Sequence, residues 1–310
     1  MDFIINWIAS TPAFAVPFAL ATLGLIITEK SGVLSLGAEG FMLVGAMAGV
    51  GAAFGAGLPP ELALIAAAIA AAAVSLLFAL LVVLLRINQV IAGLAIVFFS
   101  QGLTSLIATQ QGWTNKMVSG LQPLPLGPLA DIPVAGRILF QQDIVVYLTV
   151  PIFLAVIYML DRTMFGLKLK AVGENPEAAD AAGINVGWYR LVAVIIGAAL
   201  VGLAGGYLSV AVAKIWVDGM SGGRGWIAVA LVIFARWSPW RALAGAILFG
   251  CIEALIPRVA AMGIRVPQYF VLMTPYVATL AVMVWTSWFR GNRASQPAAL
   301  GVPHVREERR

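Results

Sequence analysis

Charge is scarce in this 310-residue chain. Asp, Glu, Lys and Arg make up 11% of it against 61% hydrophobic residues, and the mean hydropathy is +0.97. Soluble domains carry roughly 25% charged residues, so the composition excludes a water-facing globule. Cysteine is scarcer still: Cys251 stands alone in an apolar run and can form no internal disulfide. The only histidine, His304, lies in the polar tail, which excludes a His-based metal site or catalytic dyad in the apolar body. There is no G-x-x-x-x-G-K phosphate loop followed by Ser or Thr, no H-E-x-x-H and no nucleophile elbow. GAEGFMLVG has the glycines of a phosphate loop but neither its lysine nor a preceding strand. These absences speak against an enzyme and against any bound cofactor.

What remains is a set of apolar runs close to the ~20 residues that cross a bilayer as a helix. Candidate spans are Pro12–Thr28, Leu34–Gly57, Glu61–Leu85, Gln89–Ala108, Ile144–Leu160, Leu191–Ala213, Gly225–Ala235, Ala242–Ile256 and Gln268–Trp288. The predicted fold is one all-α polytopic domain over residues 1–310, with eight or nine spanning helices, some broken or half-length. The seventh run is too short to cross unaided at 1.5 Å per residue. The alanine-rich third lets neighbours approach closely. Met1–Ala15 has Asp2 and no positive charge before its apolar stretch, the wrong flank for a signal peptide, and reads as the lead into the first span.

The net charge of +5 would fit a nucleic-acid binder, but the aromatics sit inside apolar runs and not among Lys and Arg. Positive charge at the cytoplasmic ends of membrane helices accounts for it better. With residues 161–190 placed inside, thirteen Lys and Arg fall inside (Lys30, Arg86 and Arg190 among them) and six outside. That puts the 290–310 tail in the cytoplasm and the 109–143 connection outside. Pro123, Pro125, Pro128 and Pro133 make that connection an ordered cap.

Three features carry functional information. In the 161–190 loop, Asn175 is a good N-cap, Pro176 suits the first helical position and Glu177 suits the positive helix end. Gly183 supplies a left-handed stop. The resulting helix, Pro176–Ala182, is too short to stand alone and reads as a docking element. Second, glycine interrupts the runs Ser31–Gly51 and Gly219–Trp237. Broken helices in both halves of a transporter point to a substrate path, although small residues also serve tight helix packing. Third, Glu39 and Glu253 are acids within apolar runs, with Arg258 a candidate partner for Glu253. An intramembrane carboxylate costs about 2.5–3.5 kcal/mol near a helix centre, so Glu39 calls for backbone donors at its break. Asn88, Gln89, Ser100 and Gln101 add polar groups that suit either interhelical hydrogen bonds or a path lining.

The stretches SGVLSLGAEGFMLVGA, LRINQVIAGLAI, RTMFGLKLKAVGENPEAADAAGINV and GGRGWIAVALVIFARW occur in this order. Together they resemble the permease subunits of ABC importers of the branched-chain amino acid, ribose and nucleoside superfamily. The match is best with the nucleoside or simple-sugar branch served by Bmp-type lipoprotein receptors. The resemblance runs from about Thr11 onward and includes the tail PAALGVPHVREERR. It implies a type II importer-like bundle in the cell membrane that carries no ATPase of its own. It also implies a second homologous permease subunit, cytoplasmic ATP-binding subunits and an extracytoplasmic solute-binding lipoprotein. Gly173, Glu174, Asn175, Pro176, Glu177, Ala178, Ala179, Gly183 and Ile184 look like the segment that couples to the ATPase. Glu39, Asn88, Gln89, Gln101 and Trp226 are the candidates for the translocation path, Trp226 standing where phenylalanine is more usual in the family. The alternatives are a branched-chain amino acid permease and an ion-coupled carrier using Glu39 or Glu253.

Overall fold

The computed structural model of the chain describes residues 2–125, 134–261 and 296–304, with single positions between 126 and 133 and between 262 and 284. The helices among them are α1 (Asp2–Glu29), α2 (Ala38–Val50), α3 (Pro60–Ala79), α4 (Gln89–Gln110), α5 (Ala135–Leu139) and α6 (Ile144–Arg162). They continue with α7 (Met164–Glu174), α8 (Pro176–Ala181), α9 (Val186–Tyr207), α10 (Arg224–Ala235) and α11 (Pro239–Ala261). Wider π-helical turns extend α2 over Gly51–Gly55, α3 over Leu80–Leu84 and α9 over Leu208–Ala213. Seven of these segments are long and apolar enough to cross a membrane, and α10 is a shorter apolar helix. Helix is the form such sequences must take, because hydrocarbon offers no partner for an unpaired backbone group.

Most boundaries fall within a few residues of expectation. The first span differs: α1 runs unbroken through Pro12 and Pro17 from Asp2, ten residues earlier than predicted. The second also differs, because helix begins only at Ala38 and Leu34–Gly37 are irregular. The predicted ninth span, Gln268–Trp288, lies largely outside the described residues.

Burial sorts the helices. The α1 side chains Phe18, Leu20, Leu23, Leu25, Ile26 and Ile27 are fully buried, as suits a helix apolar on every side. It lies at the centre with α9 and α2, while α3, α4, α6 and α11 turn exposed Ile69, Ile91, Phe98, Leu154 and Leu248 outward. Glycine sets the central contacts. A Cβ on Gly24 would overlap the Gly197 carbonyl, one on Gly45 would overlap Gly202, and one on Gly205 would overlap the Met42 carbonyl. Helix backbones therefore touch directly at the α1–α9 and α2–α9 crossings, as small residues permit.

The two ends of the bundle differ. At one end residues 114–118 pair with 214–216, and Gln142 Nε2 donates to the carbonyls of Ala9 and Ile138. Asp143 caps α6 and accepts from the Tyr207 hydroxyl, so both described ends of the long connection are tied to the bundle. The opposite end carries Lys30, Arg86, α7, α8, Arg190 and the tail.

Candidate functional site

The two glycine-broken segments meet inside the bundle. The chain rises from Ser31 as an irregular strand, and the backbone N–H of Leu34 donates to Gln89 Oε1 at 2.6 Å. Gly40, in the first turn of α2, packs against the Ile96 carbonyl and the Ser100 hydroxyl. Those residues lie seven and eleven positions past Gln89, about 10–16 Å along the axis of α4. Helix α2 thus starts about halfway along the apolar helix α4. The second broken segment enters from the opposite end, at Ile215 and Trp216, and α10 starts at Arg224 after Gly222 and Gly223, both at positive φ. Two helix N-termini are thereby brought together at depth.

Glu39 joins them. Its Oε1 accepts from the Ser221 hydroxyl and from the Gly223 N–H at 2.9 Å, and its Oε2 accepts from the Gly225 N–H at 2.7 Å. These backbone donors belong to the first turn of α10, which has no partner for them within the helix, and a carboxylate also suits the positive end of its dipole. A Cβ on Gly225 would overlap the Glu39 backbone, so glycine is required for the approach. The expected backbone cradle for Glu39 is present.

Arg224 completes the junction. Its Nε and Nη2 each donate to Glu253 Oε2 at 3.1 Å, and its Nη1 donates to the carbonyls of Ser221 and Met220. This corrects the pairing expected from sequence: Arg258 instead donates to the Ser10 hydroxyl at 2.9 Å. Arg258 is nearer Glu253 in sequence, but the break before α10 carries Arg224 to α11. Truncating one partner of a fully buried pair costs about 3–5 kcal/mol, because the other charge is left unpaired; this pair, 24% and 12% exposed, should lose somewhat less. Arg224→Met is therefore expected to lower thermal stability sharply in detergent, and adding Glu253→Gln should restore most of the loss. An equal loss in the single and double variants would contradict the pairing.

The remaining polar candidates are distributed differently. Asn88 is exposed and caps α4, accepting from the N–H groups of Val90 and Ile91. Gln89 is buried, with its Nε2 unpartnered. The Ser100 hydroxyl is buried without a partner beside Gly40. Gln101 is exposed halfway along α4, and Trp226 is half-buried on α10. Sequence reading missed Glu29, which is buried at the foot of α1 and accepts from Trp237 Nε1 at 2.7 Å. Glu29 stands one position past the predicted end of the first span, Pro12–Thr28, and so was not counted among the intramembrane acids.

At the other end, α7 and α8 form an angled pair. Asn175 caps α8 through Ala178 N–H, Pro176 opens it and Gly183 closes it at φ +79°, as the sequence predicts. Ala179 is buried against Val172, Val186, Ile184 and Tyr189, whereas Glu174, Asn175, Glu177, Ala178, Ala181 and Ala182 are exposed. Gly173 leaves no room for a Cβ against the Lys30 carbonyl. Its own carbonyl accepts from Ala299 N–H at 2.9 Å, Gly32 accepts from Gly301 N–H at 3.1 Å, and Arg190 Nη1 donates to the Val302 carbonyl at 3.1 Å. The tail thus ties together α7, the first loop and the foot of α9. Burial, with Lys170 adding to it, pushes the Lys30 ammonium below its ordinary pKa.

Comparison with known proteins agrees with this architecture. No solved structure matches the chain. It is 37% identical to a putative glucose ABC transporter permease, TsgC13 of Haloferax volcanii, over 91% of this chain and 92% of that one. It is 34% identical to the guanosine ABC transporter permease NupQ of Bacillus subtilis and 31% identical to the nucleoside ABC transporter permease NupC of Lactococcus lactis, each over 97% of both chains. A family model described as the permease component of the branched-chain amino acid transport system matches residues 8–287. With that match, the seven apolar helices and the broken segments meeting at Glu39, the chain belongs to this family of multi-pass membrane permeases.

Proposed function

We propose that this chain is the membrane-spanning subunit of an ATP-binding cassette importer for a nucleoside or a simple sugar. In this reading a second homologous permease subunit lies beside it, a cytoplasmic ATP-binding subunit below it and an extracytoplasmic solute-binding lipoprotein above it. The observation that carries the proposal is the α8 face. It is small, exposed and capped at both ends, and its Ala179 is buried against Val172 of α7 and Val186 of α9. A motor needs such a handle, and nothing in the sequence supplies a motor of its own. The relatives named as guanosine, nucleoside and putative glucose transporter permeases support the substrate class.

Residues 173–184 form the coupling site in this reading. The tail and the α7–α8 end face the cytoplasm, which agrees with the gathering of Lys30, Arg86, Lys168, Lys170 and Arg190 there. The path runs along the junction and α4, past Glu39, Asn88, Gln89, Gln101 and Trp226. Gln101 supports this course, since an exposed amide halfway along a spanning helix is poorly placed against lipid. That face of α4 is turned toward the path and the second permease subunit.

Replacing Glu174–Ala179 with a Gly-Ser stretch tests the coupling role. Membrane insertion should persist, while uptake and permease-stimulated ATP hydrolysis both fall to background in reconstituted vesicles. Undiminished uptake would overturn the proposal.

A further inference from the structure

Every backbone N–H from Ala298 to Val302 in the tail is hydrogen-bonded, and three of these donors reach outside the tail. Ala299 N–H donates to the Gly173 carbonyl at 2.9 Å, Gly301 N–H to the Gly32 carbonyl at 3.1 Å and Ala298 N–H to Glu174 Oε2 at 3.4 Å. The N–H groups of Leu300 and Val302 close turns onto Pro297 and Ala299. Arg190 Nη1 adds a fourth outside bond, to the Val302 carbonyl. Pro297 is buried, Ala299 is 7% exposed and Leu300 packs against the main core. A chain end with no task leaves its backbone to water; this one is held along its length.

The tail's partners belong to different parts of the proposed coupling route. Gly173 and Glu174 open the coupling segment. Gly32 is the turn from which the chain rises to α2 and Glu39, and Arg190 stands in the first turns of α9. The coupling segment and the first loop also touch directly, since a Cβ on Gly173 would overlap the Lys30 carbonyl and stand 3.2 Å from the Gly32 nitrogen. No side chain interlocks at that contact. Two backbones in contact resist being pushed together, but only weak dispersion resists their being drawn apart. Hydrogen bonds from one strap to both sides resist separation as well. Gly32 is shaped for the strap: it lies at φ +87°, and a Cβ there would stand 3.2 Å from the Ala299 carbonyl and 3.1 Å from Arg190 Nη2.

We infer that residues 296–304 are a strap through which the coupling segment pulls on the first loop as well as pushing it, with Arg190 the positioning residue that seats it. The strap ends beside α8 itself, where His304 Nε2 lies 4.0 Å from Asp180 Oδ2. A bundle that alternates between two states needs transmission in both directions, and the direct contact supplies one. The inference rests on the coupling role proposed for residues 173–184 and adds the element that carries the return stroke toward the Glu39 junction.

The test uses the whole transporter, with its ATP-binding subunit and receptor, in vesicles offered radiolabelled guanosine or glucose. Three variants are compared with wild type: deletion of residues 296–310, deletion of residues 305–310, and Ala299→Pro, which removes the N–H donated to Gly173. Association of the ATP-binding subunit and ATP hydrolysis should persist in all three. Uptake per ATP hydrolysed should fall about tenfold without residues 296–310, the effect of about one net hydrogen bond lost from the coupling. It should fall by a smaller factor in Ala299→Pro and hold without residues 305–310, whose charges lie past the strap. Arg190→Lys keeps a donor for Val302 and should retain more coupling than Arg190→Met. Hydrogen exchange across Lys30–Leu34 should quicken in the same variants that lose coupling. Unchanged uptake per ATP in the long deletion would overturn the strap. So would a parallel loss of uptake and of ATP-binding-subunit association, which would make the tail part of the docking surface. If the long deletion does not insert, Ala299→Pro decides alone. A wild-type complex with no ATP-dependent uptake of either probe would fail the permease reading itself, and the strap with it.

Discussion

Glu39→Ala is expected to abolish uptake and to unfold the chain at a much lower temperature in detergent. Three donors lose their acceptor at once: the Ser221 hydroxyl and the N–H groups of Gly223 and Gly225. Hydrogen bonds to a charged acceptor contribute about 1.5–3 kcal/mol each, and water at this depth offers little replacement. A total loss of about 4 kcal/mol allows for the pocket relaxing. Glu39→Gln isolates the chemistry, since it keeps the shape. Its carbonyl can serve Ser221 and Gly223, but its amide then faces the Gly225 N–H, donor against donor, so about half of the loss should remain. An ion-coupled carrier predicts something else for Glu39→Gln: pH-independent transport by a chain of unchanged stability. Thermal unfolding followed by tryptophan fluorescence, run beside uptake at several pH values, separates the two. Wild-type melting in Glu39→Ala would refute the cap.

How much of this was legible beforehand depended on how local the cause was. The α8 cap is local. Asn175, Pro176 and Gly183 each act on the backbone within a few residues, so sequence placed the helix to within one position. Although the sequence started the second span at Leu34 and the helix begins at Ala38, that the runs Ser31–Gly51 and Gly219–Trp237 are interrupted was also visible, because glycine weakens a helix wherever the rest of the chain lies. What the breaks bring together was not. Glu39 and Ser221 are 182 positions apart, and no spacing rule reaches that far. The same holds for Arg224, whose partner was misassigned because sequence distance favoured Arg258. It holds again for the tail, whose polar composition reads as a solvated end although Ala299 and Gly301 hydrogen-bond to Gly173 and Gly32. Trp237 and Glu29 pair across 208 positions for the same reason.

Gly205→Val is expected to have the other large effect, through packing alone. A Cβ at this position would overlap the Met42 carbonyl, and one turn away Gly45 and Gly202 are in backbone contact. Overpacking a core costs about 1–3 kcal/mol where side chains can adjust. Here the obstacle is a helix carbonyl, which cannot swing aside without breaking its own hydrogen bond, so a loss of at least about 3 kcal/mol is expected. The variant should accumulate poorly or elute as aggregate in size-exclusion chromatography. Gly102→Ala is the control: it lies in a spanning helix with open space around its Cβ position, so its melting temperature should hold or rise slightly, as alanine favours helix over glycine by about 1 kcal/mol. A monodisperse Gly205→Val chain with unchanged melting would show that α2 and α9 are not in backbone contact. The consequence reaches beyond stability. The foot of α9 follows directly from α8, and its upper half lies against α2, which carries Glu39. Backbone contact with no side chains between leaves no slack, so in the proposed coupling a displacement at α8 would carry through α9 to the junction of the broken helices. A partial variant tests that link: Gly49→Ala, whose Cβ would press on the Gly206 Cα of α9 without overlapping it, should lose uptake more steeply than it loses ATP-binding-subunit association, because the handle is intact and the helix contact is loosened.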